Sequence, residues 1–308
     1  MDRSWHILGA GAIGSLFAAK LQNAGEQVVL LDHHQTPESG RRSLTGEPPV
    51  GNFQFPVSLT TDTQPIDHLL VTTKSYAVIP ALRSVTHRLS SGAQLVVMVN
   101  GMGIAEQCKA LLPAFSLVLG STTEGAFREN KHTIVHAGTG FTHLGDYRTT
   151  PGVSRSHEQA AHPGWFAPWR SMGACEWDSN INDRLWLKLA INAAINPLTA
   201  LHQCKNGELV RQPAYLAQVM SLCDEIQAVA LAAGNTAWAE DLPARVIEVI
   251  ERTANNRSSM LQDILAGRPT EINDITGWLV KRASALSVAT PTHSALLAKF
   301  SETYPNQG

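Results

Sequence analysis

The chain has 308 residues, 44% hydrophobic and 16% charged, which suffices for two ordinary domains and is too apolar for a disordered chain. With 24 basic and 26 acidic residues the net charge is −2, so overall charge points to neither nucleic acid nor a membrane surface as partner. Cys108, Cys175, Cys204 and Cys223 form no CxxC pair and no metal-ligand spacing. Scattered thiols suit a reducing compartment. With no signal-type start and no run long enough to span a bilayer, a soluble cytoplasmic protein is expected.

Trp5 to Leu8 reads as a short strand. It runs into Gly9-Ala10-Gly11-Ala12-Ile13-Gly14 and a helical pattern that ends at Ala24-Gly25, and Gln27 to Leu31 is the next strand. Strand, GxGxxG, helix and strand within about thirty residues form the dinucleotide fingerprint in its required setting. The glycines serve a tight turn, room for a pyrophosphate, and close helix–strand packing, and the helix N-terminus supplies amides for the phosphates. Asp32 closes the second strand, where an acidic residue usually binds the adenosine ribose and favours NAD. Arg41 and Arg42 either reach a phosphate from the following loop or are solvated loop charges; cofactor identity stays open at this point.

Leu69 to Thr73 and Leu95 to Val99 read as buried strands. They place Lys74 and Asn100 beyond strand carboxyl ends, where open parallel sheets bind ligands. The alternatives are an exposed loop lysine and an Asn–Gly turn. After a strand at Leu117 to Gly120, the runs Thr133 to His136 and Phe141 to Leu144 flank Ala137-Gly138-Thr139-Gly140 and read as a hairpin. The stretch 151–172 has no clear pattern, and Ala174 to Trp177 reads as an edge strand. From Asn180 the pattern is helical, which sets a boundary between residues 1–178 and 179–308.

In the helical half, Leu185 to Leu198 is apolar or Pro except for Lys188, Asn192 and Asn196, spaced i, i+4, i+8. That spacing puts the three on one face of an otherwise buried helix. Because an uncompensated buried ammonium is costly, the stripe is expected to face a wet cleft or a polar ligand. The alternative is a lysine reaching solvent beside two amides bonded to backbone. Tyr215 to Gly234 and Leu242 to Gly267 read as further helices. The second contains Asn255 to Asp263, and the alternative to a ligand role for Ser258 and Ser259 is a simple bond to the preceding turn's carbonyls. Pro269-Thr270-Glu271 opens the last substantial helix, and a carboxylate there also suits the helix dipole.

The sequence resembles the ketopantoate reductase family along nearly its whole length. The matching motifs are GAGAIG, VTTKSY around Lys74, VNGMG around Asn100, RLWLKLAINAAINPLTAL around Lys188, NNRSSMLQD at 255–263 and GRPTEIN around Glu271. The resemblance implies an α/β Rossmann-type N-terminal domain followed by an all-α C-terminal domain like that of 6-phosphogluconate dehydrogenase, with substrate in the cleft between them. It implies Lys188 as the general acid for reduction of a 2-oxo acid, with Glu271 setting the lysine's state and binding the substrate hydroxyl. Asn192, Asn196 and Ser259 would contact substrate, and Asn100 and Lys74 would line the junction of cofactor and substrate. Gly9, Ala10, Gly11, Ala12, Ile13, Gly14, Asp32, Lys74, Asn100 and Glu271 form the implied cofactor set.

The implied reaction is NADPH-dependent reduction of ketopantoate to (R)-pantoate in pantothenate synthesis, by a monomer or homodimer. Two departures stand out. The family commonly carries a basic residue just after the second strand, whereas Asp32 is followed here by His33 and His34, which keeps NADH open. Glu124 in STTEGA is expected near the cleft, where it would narrow or shift substrate choice. The rivals are a reductase of another branched 2-oxo acid and a non-catalytic dinucleotide sensor.

Overall fold

The computed structural model describes residues 4–33, 40–46, 51–130, 132–148 and 162–307; His34 and residues 151–161 lie outside the described residues. The chain forms two compact units, Met1–Val99 with Ile104–Asn182, and Asn100–Gly103 with Asp183–Gly308.

The first unit is α/β. Its elements are β1 (Ser4–Leu8), α1 (Ala12–Asn23), β2 (Gln27–Asp32), β3 (Arg41–Gly46), β4 (Gly51–Leu59), β5 (Ile66–Val71), α2 (Val78–Val85), β6 (Leu89–Val97), α3 (Ile104–Leu111), β7 (Leu117–Thr122), β8 (Gly125–Arg128), β9 (Thr133–Gly138), β10 (Thr142–Asp146), α4 (Ala167–Ser171) and β11 (Cys175–Trp177). One sheet runs in the order β11-β10-β7-β6-β5-β1-β2-β4-β3-β9-β8. From β7 to β4 every pairing is parallel. These strands are short apolar runs because both faces are covered: β7 is buried at every residue and β5 at all but Asp67. Trp5, Phe17 and Trp169 lie within the core, with ring centroids 5.3 Å apart for Trp5–Trp169 and 5.6 Å for Phe17–Trp169.

The expected hairpin at 133–144 is not formed. β9 pairs antiparallel with β8 and parallel with β3, whereas β10 pairs antiparallel with β7 and parallel with β11. The intervening glycines serve a crossing. At Gly140 a Cβ would collide with the backbone of Thr123 and Glu124, so the chain passes flat over that segment. The strands β3, β4 and β8, absent from the sequence reading, extend the sheet on the other side of β2.

This extension is tied to α1 by charge. Glu124 is buried, accepts a hydrogen bond from Lys20 on α1, and pairs with His136 Nε2 on β9 at 2.5 Å. Burial pushes the Glu124 carboxyl up, but its bonds to Lys20 and His136 outweigh this and hold it below the usual carboxylate range. These contacts give Glu124 a fastening role between α1 and β9. Glu124→Gln should cost about 3 kcal/mol, the low end for a broken buried pair, since Lys20 can turn to water. A depressed carboxyl gives stability that is present above its unfolded pKa and lost as pH falls through the folded one. Denaturant titrations of both proteins should accordingly converge in acid; an equal gap at all pH values would remove the ion-pair account.

The second unit is helical: α5 (Ile181–Leu201), α6 (Glu208–Arg211), α7 (Pro213–Ala232), α8 (Thr236–Ala239), α9 (Leu242–Arg252), α10 (Ser259–Leu265), a π-helical turn (Asn273–Gly277) running into α11 (Trp278–Ala285), and α12 (Pro291–Thr303). The single helix expected over Leu242–Gly267 breaks into α9 and α10, because Ser258 accepts a bond from the Leu261 amide and starts a new helix. A helix beyond the one expected to be last, α12, is capped by Glu225, which accepts from the Thr292 and His293 amides at 2.6 and 3.0 Å. Among the described residues no helix is long and apolar enough to cross a membrane.

Candidate functional site

Two constellations carry the sequence-predicted residues, one in each unit. The first is the turn after β1. Gly9 has φ +100°, a conformation that favours glycine, and a Cβ there would stand 2.5 Å from the Thr73 amide nitrogen. The Gly9 carbonyl accepts from Thr72 Oγ1 at 2.8 Å and from the Gly11 amide at 2.7 Å. A Cβ at Gly14 would collide with that same carbonyl and with Thr72 Oγ1, so α1 can lie against the turn only with glycine there. Gly11 differs. A Cβ would find nothing nearer than the Gly9 carbonyl at 3.9 Å, so internal packing does not explain this glycine. The space over Gly11 beside the N-terminus of α1 would fit an anion such as a pyrophosphate, and Ala12 and Ile13, half-buried, open the helix. The turn lies where β2 and β5 flank β1 on opposite sides, the point at which strand order reverses.

Around this turn, Lys74 follows β5, half-buried, and precedes a short 3₁₀ turn at Ser75–Ala77. Asp32 ends β2 and pairs with the Arg42 guanidinium. Arg41 and Arg42 are strand residues of β3; Arg41 is exposed and donates to the Gln54 carbonyl at 3.0 Å.

The second constellation is built on α5. Trp186, Leu189, Ala190, Ala193 and Ile195 enter the helical core, while Lys188 and Asn192 remain half-buried and Asn196 is buried. Burial lowers the Lys188 pKa to about 8, and the Glu271 carboxylate pulls it the other way. Glu271, itself buried, accepts a hydrogen bond from Asn100 Nδ2 at 3.1 Å. Lys188, Glu271 and Asn100 are thus brought together although 171 positions separate Asn100 from Glu271.

The VNGMG segment explains this. Gly101 (φ +87°) and Gly103 (φ +85°) lie against the π-helical turn and Trp278, where a Cβ would stand 2.8 Å from the Asp274 carbonyl and 2.9 Å from the Trp278 ring. The Met102 amide donates to that Asp274 carbonyl at 3.3 Å. The π turn is a feature the sequence reading missed; its one trace is the pair of glycines that fit it. Ser259 is exposed at the start of α10. Its neighbour Ser258 is buried and accepts from Thr199 Oγ1 at 2.7 Å.

Residues 5–149 match the family model described as ketopantoate reductase PanE/ApbA, and residues 180–303 match the ketopantoate reductase PanE/ApbA C-terminal model. The 2-dehydropantoate 2-reductase of Vibrio cholerae serotype O1 is 36% identical over 292 residues, 94% of each chain. A PanE/ApbA family ketopantoate reductase from Ralstonia eutropha JMP134 is 25% identical, with a TM-score of 0.83 over 99% of both chains. A D-mandelate dehydrogenase solved with NADH and anilino(oxo)acetate shares the fold, with a TM-score of 0.86 at 20% identity over 99% of both chains.

Proposed function

Because the chain belongs to the ketopantoate reductase family, we propose that it reduces ketopantoate to (R)-pantoate with NADPH, residues 1–178 binding the nucleotide and 179–308 carrying the catalytic helix. The enzyme is a pyridine-nucleotide oxidoreductase, and the turn Gly9 to Gly14 would hold the pyrophosphate, with Asp32 and Lys74 toward the adenosine ribose and the nicotinamide side. When bound, the reduced nicotinamide supplies a hydride to the carbonyl carbon.

Lys188 carries the reading. Negative charge grows on the ketone oxygen as the carbon is reduced; the Lys188 ammonium stabilises it and gives up one proton, leaving an alcohol and a neutral amine that regains its proton from solvent. With a pKa of about 8 the lysine is roughly ten parts protonated to one at neutral pH, and it is a better acid there than an ordinary lysine. Glu271 holds it charged and accepts the substrate hydroxyl, while Asn100 fixes the carboxylate. Asn192 and Asn196, one and two turns along α5, donate to substrate oxygens without neutralising the ammonium. Ser259 contacts the substrate carboxylate.

Glu271→Ala should raise KM several-fold more than it lowers kcat at pH 6, as when a ground-state contact is lost. The same change removes the pull that keeps Lys188 charged, so the alkaline limb of the kcat/KM profile should move to lower pH. Unchanged KM and an unmoved limb would remove both roles. Asp32 motivates a second reading, an NADH-using reductase of another branched 2-oxo acid. Steady-state rates on ketopantoate and on other 2-oxo acids with each nucleotide separate the two. Absence of ketopantoate turnover with either nucleotide would eliminate the first.

A further inference from the structure

An acidic residue at the end of β2 ordinarily repels a 2′-phosphate, so Asp32 stands against an NADPH enzyme. The sheet extension changes that balance. Asp32 lies beside Leu59 of β4 and Arg42 beside Phe55. Residues 55, 57 and 59 share one face, so Arg42 and Asp32 project from the same side of the sheet. Ile134 pairs with Gly46 of β3 and with Arg128 of β8, which puts Arg128 on that side too. Arg42 reaches across β4 to the Asp32 carboxylate. Arg128 is exposed at the sheet edge. Its partial burial, and then the like charge of Arg42, push its pKa below the usual arginine range, so the two guanidinium groups are electrostatic neighbours. Of these three described side chains, two are positive and one is negative.

We propose that Arg42 and Arg128 form the acceptor for the cofactor's 2′-phosphate, with Asp32 orienting Arg42 instead of repelling the nucleotide. A guanidinium has five N–H donors in a planar fork, enough to keep the carboxylate and bind a phosphate together. With a 2′-hydroxyl in place of the phosphate, Asp32 accepts the hydroxyl and the arginines add little. The discrimination then comes from β3 and β8, strands lying outside the β1–α1–β2 fingerprint. It rests on the nucleotide reading above.

The test is calorimetric binding of 2′,5′-ADP and of 5′-ADP to the full chain, with no turnover involved. The unmodified protein should bind 2′,5′-ADP more tightly. Arg42→Ala should weaken 2′,5′-ADP by about tenfold or more, the scale of one hydrogen bond to a charged group, and leave 5′-ADP within about threefold. Arg128→Ala should act in the same direction, and Arg42→Lys, which keeps the charge but loses the fork, should fall between. Variants that weaken both ligands equally, or neither, while the unmodified protein prefers 2′,5′-ADP would overturn the proposal and spare the nucleotide reading. If the unmodified protein binds neither ligand, the nucleotide reading fails; if it prefers 5′-ADP, NADPH and this acceptor fail together.

Discussion

Lys188→Ala is expected to lower kcat for ketopantoate by at least about 10²-fold, the scale of general acid catalysis, with nucleotide affinity unchanged. The lysine stands on a helix whose other faces are packed into the core, so truncation removes an ammonium without removing a pillar of the fold. Two effects on stability oppose each other, the loss of a partly desolvated ammonium and the loss of the cation beside the buried Glu271 carboxylate, so the change in melting temperature should be small. In the unmodified enzyme kcat/KM should fall as pH rises through about 8, since the protonated form is the acid and burial has brought its pKa there in the free enzyme. The limb should vanish in Lys188→Ala and persist, displaced, in Lys188→Arg if any activity remains. A variant retaining most of its activity would end the general-acid assignment. A protein with no turnover to lose, but with altered ligand binding on substitution, would be a sensor.

Local patterns made half of this site legible. GxGxxG between two apolar strands and three polar residues four apart on a greasy helix are signals written within one or two turns of chain. Pairings across long separations were not. β3 and β8 are short, β3 is largely polar and β8 only four residues long, so RRSLTG and GAFR carry no sustained alternation to mark them. The hairpin expected at 133–144 had correct spacing and the wrong partners, because strands choose partners by what the rest of the sheet leaves unpaired. The fastening role of Glu124 is hidden from local pattern for the same reason: its partners, Lys20 and His136, lie 104 and 12 positions away. The π turn after Glu271 lacks any periodic mark, and the Asn100–Glu271 bond depends on it.

Gly11 and Gly14 should separate the fold from its ligand. Gly14→Ala drives a Cβ into the Gly9 carbonyl and Thr72 Oγ1, both fixed by the hydrogen bond between them. Neither is the free end of a flexible side chain, so α1 must move off the turn, at a cost of about 3 kcal/mol for overpacking a rigid site. Melting temperature and nucleotide affinity should fall together. Gly11→Ala meets no neighbour closer than 3.9 Å, and its φ of −72° suits any residue, so stability should change little. Its methyl group nevertheless occupies the space a pyrophosphate needs, and affinity for NADPH should fall by about tenfold or more, as when one charged hydrogen bond is lost. Paired melting curves and calorimetric titrations on the two variants decide the matter. A Gly11→Ala protein that binds NADPH normally would move the phosphate away from this turn, whatever Gly14→Ala does to the fold.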